Sequence, residues 1–392
     1  MRALVNAAVY TPTRIIPQGV VLCEGERIAA VGSARQVTIP ADAEVIDVSG
    51  LIACPGFVDI HTHAGDGGDF TDGTPEAVRQ AARRHRRAGT TSLLATTSSE
   101  VLAHIFGVFG AIREVMEAPA ADEARILGIH MEGPFLSLEQ RGAHPPELLR
   151  MPDAAEREQL LAWAPWLRCV TLAPERAGAL ELIDALAARG IVVAGGHSDG
   201  TYEQVCEAMN RGMRHTVHCW SGMSTVRRIK AKRYAGMVEA SLMEEGLTTE
   251  IIADGYHLPS SLMRMAYRLK GPSRLALVSD AMRASGLGPG TYHLSGHICY
   301  VDEGEAVAYT EDRLAFAGSV ATLLQCVQQV VLTVGISLID ALCMASLTPA
   351  RIMGLDVLVG SLEPGKLADI LLLDPATLEV RRIIQGGEIV VG

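Results

Sequence analysis

The sequence predicts an α/β protein, in which residues 54–354 form a (β/α)8 (TIM) barrel and the two chain termini, 1–53 and 355–392, form a small β-sandwich. Two observations carry this prediction. The middle of the chain alternates short apolar strands with helical segments in eight units, and eight such units favour a closed barrel. Both ends contain only short β-prone runs separated by Gly, Pro and Asp, so we expect one β-domain built from both termini.

Composition and charge exclude several classes of protein. Of the 392 residues, 48% are apolar and 20% are charged, so the chain can bury a large core and extended disorder is not expected. The net charge of −11 argues against nucleic acids or membrane surfaces as general partners. No apolar run approaches the about 18 residues of a membrane span. The charge balance says nothing about a small anionic ligand, which needs only a few local cations.

The start of the chain and its cysteines indicate a compartment. The first residues break too early for the apolar segment of a signal peptide. The eight cysteines form no CxxC pair and no zinc-finger spacing, and most lie in apolar stretches, which is typical of reduced structural thiols. We therefore expect a cytoplasmic protein.

The elements follow in chain order from these patterns. The terminal strands are predicted at 4–9, 20–23, 27–31, 43–48, 370–373, 380–384 and 389–391. The barrel strands are predicted at 57–60, 90–95, 126–131, 169–172, 191–194, 215–219, 249–253 and 275–278. Thr74-Pro75 and Thr201 with Gln204 are helix-start signals, and the cationic run 83–87 is typical of a solvated helix end. An open doubly wound sheet is the alternative, but no GxGxxG follows an early strand.

Six ligand-type side chains fall at the carboxyl ends of predicted barrel strands, where barrel enzymes keep their chemistry. They are His61 and His63 after the first strand, Glu132 after the third, His197 after the fifth, His218 after the sixth and Asp280 after the eighth. Each residue alone has an ordinary structural explanation, such as a helix cap or a turn. Their joint placement at one rim instead predicts a metal centre, because imidazole and carboxylate suit Zn, Fe or Mn. Four His, a bridging Glu and an Asp can hold two ions.

Several segments resemble a known family. The motif PGFVDIHTH at 55–63 and the tail GSLEPGKLAD at 360–369 resemble the opening and closing motifs of the amidohydrolase superfamily. Within it, the chain resembles the N-acetylglucosamine-6-phosphate deacetylase family. The matching segments are 130–136, 141–144, 196–202, 251–257, 278–282 and 314–319.

The resemblance implies roles for individual residues. Glu132, His197 and His218 match the family's main metal ligands, while His61 and His63 match a pair that holds a second metal in some members. Asp280 matches the catalytic acid/base, and the residues matching sugar contacts are His144 and His257. The resemblance also implies a homodimer in which the neighbouring subunit completes the phosphate site.

The chain departs from the family where the phosphate is held. Ser221-Gly222 replaces the usual Asn-Ala pair, although a hydroxyl and backbone amides can still contact phosphate. Asp199 replaces an Asn and adds an acid. By position Lys230 corresponds to the phosphate-binding Arg, and Arg227 or Arg228 can share that role. The basic stretch 227–233 is equally consistent with a solvated helix face.

The expected function is hydrolysis of N-acetylglucosamine-6-phosphate to glucosamine-6-phosphate and acetate, with one or two divalent ions per subunit. Zinc is favoured, and iron, manganese or cobalt are alternatives. Other N-acyl substrates stay open: N-acetylgalactosamine-6-phosphate, an unphosphorylated N-acetyl hexosamine, or a cyclic amide or N-acyl amino acid. The last class is disfavoured because Glu132 and Glu175, with no Lys, stand at the third and fourth strand ends. A non-catalytic barrel is disfavoured because Glu132 and Asp280 are both present.

Overall fold

The computed structural model describes residues 1–294 and 296–390. Its strands are β1 (Arg2–Tyr10), β2 (Ile15–Glu24), β3 (Arg27–Ser33), β4 (Glu44–Asp47), β5 (Ile52–Pro55), β6 (Phe57–Asp59), β7 (Ala64–Gly65), β8 (Gly68–Asp69), β9 (Thr90–Thr97), β10 (Arg125–Glu132), β11 (Leu167–Leu172), β12 (Val192–Gly195), β13 (His215–Thr216), β14 (Arg227–Ile229), β15 (Lys232–Tyr234), β16 (Thr248–Ile252), β17 (Leu275–Val278), β18 (Gly290–Leu294), β19 (His297–Val301), β20 (Val307–Thr310), β21 (Phe316–Ser319), β22 (Ile370–Leu373), β23 (Val380–Gln385) and β24 (Glu388–Val390). Its α-helices are α1 (Pro75–Arg87), α2 (Leu102–Glu117), α3 (Ala154–Ala162), α4 (Ala179–Ala187), α5 (Tyr202–Arg211), α6 (Met237–Met243), α7 (Ser260–Lys270), α8 (Leu323–Gln328), α9 (Leu338–Ala345) and α10 (Leu347–Ile352).

The barrel consists of eight parallel strands in the order β6, β9, β10, β11, β12, β13, β16, β17. No ladder joins β6 to β17 within the described residues. The backbone amide of Asp280 instead donates to the carbonyl of His61 at 3.0 Å, just beyond both strands. The predicted α/β class, a barrel with a β-domain from the termini, is confirmed, and the open-sheet alternative is wrong.

Both termini contribute to one β-domain. The first half of β1 pairs with β4 and its second half with β5, while β2 pairs antiparallel along most of its length. Strand β22 from the C-terminal end pairs antiparallel with β5, and β23 and β24 extend the sheet. The predicted strand at 389–391 is observed as β24, and residues 391 and 392 lie outside the described residues. The proposed division into two domains near 54 and 354 remains a prediction.

A single residue, Gly56, separates the last N-terminal strand of the sheet from the first strand of the barrel. Its amide donates to the Asp369 carbonyl at 2.9 Å. A Cβ atom at Gly56 would overlap the side chain of Thr91. Glycine is therefore required here by close packing between the sheet and the barrel.

The predicted helix starts are present. The Thr74 hydroxyl accepts a hydrogen bond from the Ala77 amide at 3.3 Å, and Pro75 is the first residue of α1. Thr201 and Gln204 form a reciprocal capping box at α5. These caps satisfy amides that have no partner inside the helix. None of the described helices is both long and apolar enough to cross a membrane.

Two elements near the barrel mouth differ from expectation. Residues 227–233 form the β14–β15 hairpin, so the interpretation as a helix face is wrong. Strands β18–β21 form a four-stranded antiparallel sheet that the sequence did not predict. This sheet has its own small core, in which Met282 from the loop after β17 packs on Cys299 and Ala317. It therefore forms a wall beside the rim that carries Asp280.

Candidate metal centre and active site

The six predicted ligand-type residues lie together at one end of the barrel. Glu132 is the last residue of β10, and the other five lie two to four residues beyond the ends of their strands. All six are buried. Parallel strands end at the same rim, so residues far apart in sequence converge there.

Glu132 is the centre of the cluster, because at least two imidazoles face each of its carboxylate oxygens, and Oε2 also lies 3.8 Å from His144 Nε2. Oε1 lies 2.9 Å from His218 Nε2 and 3.3 Å from His197 Nε2. Oε2 lies 3.2 Å from His63 Nε2 and 3.3 Å from His61 Nε2. The carboxylate therefore lies between two histidine pairs.

Asp280 lies on the side of the second pair. Its Oδ1 is 3.2 Å from His63 Nε2 and 3.7 Å from His61 Nε2. Three sets of residues bring ligand atoms close enough to share an ion: His61, Glu132 and His218; His61, His63 and Asp280; Glu132, His144 and His197.

The second ring nitrogen of each histidine is held by the protein. Nδ1 of His61 lies 2.9 Å from Glu250 Oε2, and Nδ1 of His197 lies 2.9 Å from the Gln140 carbonyl. Nδ1 of His218 lies 3.1 Å from the Ser221 carbonyl, and Nδ1 of His63 lies 3.4 Å from the Ser98 hydroxyl. This arrangement directs all four Nε2 atoms to the centre and is typical of metal-binding histidines.

A divalent cation fits this donor set. His61 Nε2 is buried and has no hydrogen-bond partner, although carboxylate oxygens lie nearby. An unpaired nitrogen facing buried carboxylates is unfavourable unless a proton or a metal ion lies between them. The residues that could therefore hold a divalent metal ion are His61, His63, His197, His218, Glu132 and Asp280.

The pKa values of the buried histidines and carboxylates in the cluster show that the carboxylates stabilise positive charge beside them. Burial disfavours a charged imidazole, but hydrogen bonds to Asp280 and Glu132 outweigh it and raise the pKa of His63 to about 9. Burial also disfavours a charged Asp280, yet the hydrogen bond from His63 and the charge of His61 lower the pKa of Asp280 to about 2. The pKa of Glu132 is likewise held well below its usual value, against its burial, by His61 and His197. These carboxylates remain ionised and attract cations.

Three of the ligand-type residues have a left-handed backbone. The φ angles are 46° at His197, 26° at His218 and 46° at Asp280. Residues with a Cβ rarely adopt this region, and such strain is concentrated at functional sites. In each case the turn after the strand aims the side chain into the barrel mouth.

The cluster of ligand-type residues lies at the base of a cavity of about 200 Å³. Four of the six predicted substrate contacts line it, namely His144, His257, Ser221 and Gly222. The β18–β21 sheet adds Phe316, whose ring is 4.8 Å from that of His257. Burial, together with the nearby His197, lowers the pKa of His144 to about 3, so its imidazole is neutral at pH 7.

The other two predicted contacts, Lys230 and Arg228, are not brought to this cavity. Both are exposed on the β14–β15 hairpin, and neither is among the described residues that line the cavity. Arg227, at the base of the same hairpin, is paired with Asp199 at 2.6 Å. Within one chain, the hairpin cations therefore do not contact the site.

One residue of the site was missed from the sequence. Glu250 of β16 is fully buried, and its carboxylate contacts His61 Nδ1 and His215 Nε2, both at 2.9 Å. Burial opposes its ionisation, but His61 and His215 hold the pKa of Glu250 below its usual range. A lone carboxylate in the apolar run 249–253 was the available signal.

Comparison with known proteins gives one consistent result. The sequence model of the amidohydrolase family, a metal-dependent family, matches residues 52–390. An N-acetylgalactosamine-6-phosphate deacetylase of Escherichia coli O157:H7 is 36% identical over 349 residues, 88% of this chain and 90% of its own length. An N-acetylglucosamine-6-phosphate deacetylase of Vibrio furnissii is 36% identical over 329 residues, 83% of this chain and 80% of its own.

Solved structures of deacetylases are similar to this chain over its whole length. The N-acetylglucosamine-6-phosphate deacetylase of Pasteurella multocida has a TM-score of 0.92 at 28% identity and covers 100% of both chains. A mutant of the Mycobacterium smegmatis enzyme, in complex with N-acetyl-D-glucosamine-6-phosphate, has a TM-score of 0.91 at 33% identity and covers 100% of this chain and 99% of its own. The chain therefore belongs to the amidohydrolase family and, within it, to the N-acetylglucosamine-6-phosphate deacetylase family.

Proposed function

We propose that this protein hydrolyses the N-acetyl group of N-acetylglucosamine-6-phosphate, giving glucosamine-6-phosphate and acetate. The observation that carries the proposal is the position of Glu132 between two histidine pairs, with Asp280 beside it at the base of the cavity. The relatives named above, which are deacetylases of amino sugar phosphates, support the substrate class.

Glu132, His197 and His218 would hold one divalent ion, and His61 and His63 a second that shares Glu132. Zinc is the proposed metal, because nitrogen and carboxylate donors suit it, with iron, manganese or cobalt as substitutes. The ion supplies Lewis acidity for the amide carbonyl and lowers the pKa of a water molecule. Its removal by exhaustive chelation should abolish hydrolysis, and restored divalent ions should return it.

Asp280 is the proposed acid/base. It lies at the base of the cavity, with its Oδ1 3.2 Å from His63 Nε2, so its carboxylate is placed to accept the proton of the attacking water and to deliver it to the amine as the C–N bond breaks. An amine is a poor leaving group unless it is protonated, which is why an acid is needed. Neutral His144 accepts from the Ser99 amide at Nδ1, so its Nε2 is placed to donate a hydrogen bond to the sugar. His257 donates from Nδ1 to Asp254 at 2.7 Å, so its Nε2 is placed to accept a hydrogen bond from a sugar hydroxyl.

The phosphate is proposed to contact Ser221 and the amide of Gly222 in one subunit and hairpin cations from another. A two-stranded hairpin is marginally stable alone, and this one exposes Val226 and Ile229, which supports its burial in a homodimer. In that dimer Lys230, with Arg228, would reach the phosphate of the partner subunit's site. We also propose a cytoplasmic location, in keeping with amino sugar metabolism.

N-acetylgalactosamine-6-phosphate is the second candidate substrate. The relative from E. coli O157:H7 carries that name and matches this chain at the same 36% identity as the V. furnissii glucosamine-type enzyme. The altered Ser221-Gly222 pair also lies in the cavity where the sugar would be bound.

A substrate panel tests the proposal. Acetate release should be measured for N-acetylglucosamine and N-acetylgalactosamine, each with and without a 6-phosphate, using the zinc-loaded enzyme. The proposal expects the phosphorylated glucosamine derivative to give the highest kcat/KM. Preference for the galactosamine epimer would select the second candidate, and equal rates without phosphate would remove the phosphate from the function.

A further inference from the structure

The segment after His197 is tied to two other parts of the chain through Asp199. Its Oδ1 accepts a hydrogen bond from the Gln140 side-chain amide at 3.1 Å, and its Oδ2 accepts one from Arg227 at 2.6 Å. Arg227 also donates to the backbone carbonyl of Asp199 at 3.2 Å. Because Arg227 is the first residue of β14, Asp199 joins the hairpin to the loop that contains Gln140.

The same loop orients His197. The Gln140 carbonyl accepts the hydrogen bond from His197 Nδ1 at 2.9 Å, which turns Nε2 toward Glu132. Gly222 packs so closely on the other side that an added Cβ would lie 2.6 Å from His197 Nδ1 and 3.0 Å from the Gln140 carbonyl oxygen. The ring is therefore held between Gly222 and a carbonyl whose own residue is tethered by Asp199.

The backbone around His197 adds a reason for this tether. His197 has a left-handed φ of 46°, which costs free energy and persists only when the surroundings fix it. The Glu175 carboxylate fixes the two residues that follow His197, because it accepts hydrogen bonds from the Ser198 hydroxyl and the Asp199 backbone amide, both at 2.7 Å. Asp199 is the residue of this turn whose side chain reaches both the hairpin and the Gln140 loop.

We propose that Asp199 is a positioning residue. Its ion pair with Arg227 and its hydrogen bond to Gln140 fix the carbonyl that orients His197, so the affinity of the metal centre depends on the placement of the β14–β15 hairpin. The inference rests on the metal centre proposed above.

The test is the dissociation constant of Zn²⁺ for metal-free protein, measured by competition with a chromophoric chelator. Gln140→Met removes the tether but keeps the backbone carbonyl that contacts His197. Arg227→Met removes the cation, and Asp199→Ala removes both side-chain links while keeping the backbone carbonyl that also accepts from Arg227. Each should weaken Zn²⁺ binding about three- to tenfold, less than the roughly 10–100-fold typical of groups bonded directly to a metal ligand.

Two further measurements separate positioning from a general loss of structure. Arg227→Lys keeps the positive charge and should retain most of the Zn²⁺ affinity that Arg227→Met loses. In assays at limiting zinc, kcat should fall while KM is unchanged, and saturating zinc should restore kcat. The matched controls are Asp184→Ala and Arg211→Met, because that pair has the same 2.6 Å contact but joins α4 to α5 away from the cavity. The controls should bind zinc like the wild type.

Several outcomes would overturn the proposal. Zinc affinity equal to that of the wild type in Gln140→Met and Arg227→Met would do so, and these two variants decide the question should Asp199→Ala fail to fold. A raised KM for phosphorylated substrate in Arg227→Met, with unchanged zinc affinity, would assign Arg227 to the phosphate instead. A wild-type protein that binds no divalent metal would refute the metal centre itself, which is a separate result.

Discussion

Replacing Gly222 by alanine tests how tightly the cavity wall packs on His197. Gly222 has a φ of 59° and lies against the hydrogen bond between His197 Nδ1 and the Gln140 carbonyl. The new Cβ would lie 2.6 Å from Nδ1, whereas ordinary contact begins at 3.4 Å. The imidazole or the loop must therefore move by about 0.8 Å.

Two separable effects follow from this geometry. The left-handed backbone disfavours a residue with a Cβ by about 1–2 kcal/mol, which should lower the free energy of unfolding. Movement of His197 should weaken metal binding about 10–100-fold, in line with losses seen when a ligand is misdirected. Misplacement of nearly 1 Å in the site should also lower kcat by up to about 10²-fold.

The assay is zinc titration of metal-free protein together with chemical denaturation. Gly25→Ala is the matched control, because Gly25 has a φ of 54° and no atom within 4 Å of an added Cβ. It should lose the same stability and keep its metal affinity. If Gly222→Ala binds zinc as tightly as the control and retains kcat, the argument from contact with His197 is refuted.

Three other predictions follow from the site. Asp280→Asn should retain metal yet lose about 10²–10⁴-fold in kcat, the usual share of an acid/base; loss of metal on analysis would instead mark it as a ligand. Substituting His61 and His63 together should lower the metal-to-protein ratio and spare part of the activity, and an unchanged ratio would show that the pair binds none. Lys230→Ala should raise KM for the phosphorylated sugar about 10- to 150-fold with kcat less affected, since a charge-assisted hydrogen bond contributes about 1.5–3 kcal/mol. An unchanged KM would remove Lys230 from the phosphate site.

The positions of the ligand-type residues could be predicted because the ends of the barrel strands can be recognised in the sequence. A barrel gathers the carboxyl ends of all its strands, so a ligand-type residue such as Glu132 or Asp280 can be placed without knowing any contact. The caps at Thr74 and Thr201 were predicted for a similar reason, since each satisfies amides within its own helix. These features depend on local sequence and on the topology of the barrel.

Other features depend on contacts that local sequence does not encode. In the sequence, Glu250 is a single polar residue within an apolar strand. Its contacts with His61 and His215 form only when the barrel closes. His85 lies in a cationic run typical of a solvated helix end, yet it is buried and contacts the Thr62 hydroxyl at 2.9 Å. The hairpin at 227–234 was missed because its exposed, charged strands have no apolar alternation.

The single-residue passage at Gly56 has a consequence for how the molecule transmits disturbance. Strand β5 is held by the C-terminal strand β22, with Pro55 opposite Ile370, and β6 starts directly after Gly56 and leads to His61 and His63. One residue lies between β5 and β6, so the position of the terminal sheet sets where the 61–63 loop of the candidate metal centre begins. Removing the chain from β22 onward would take away the strand that pairs with β5, so we expect that truncation to disturb the candidate metal centre as well as the sheet.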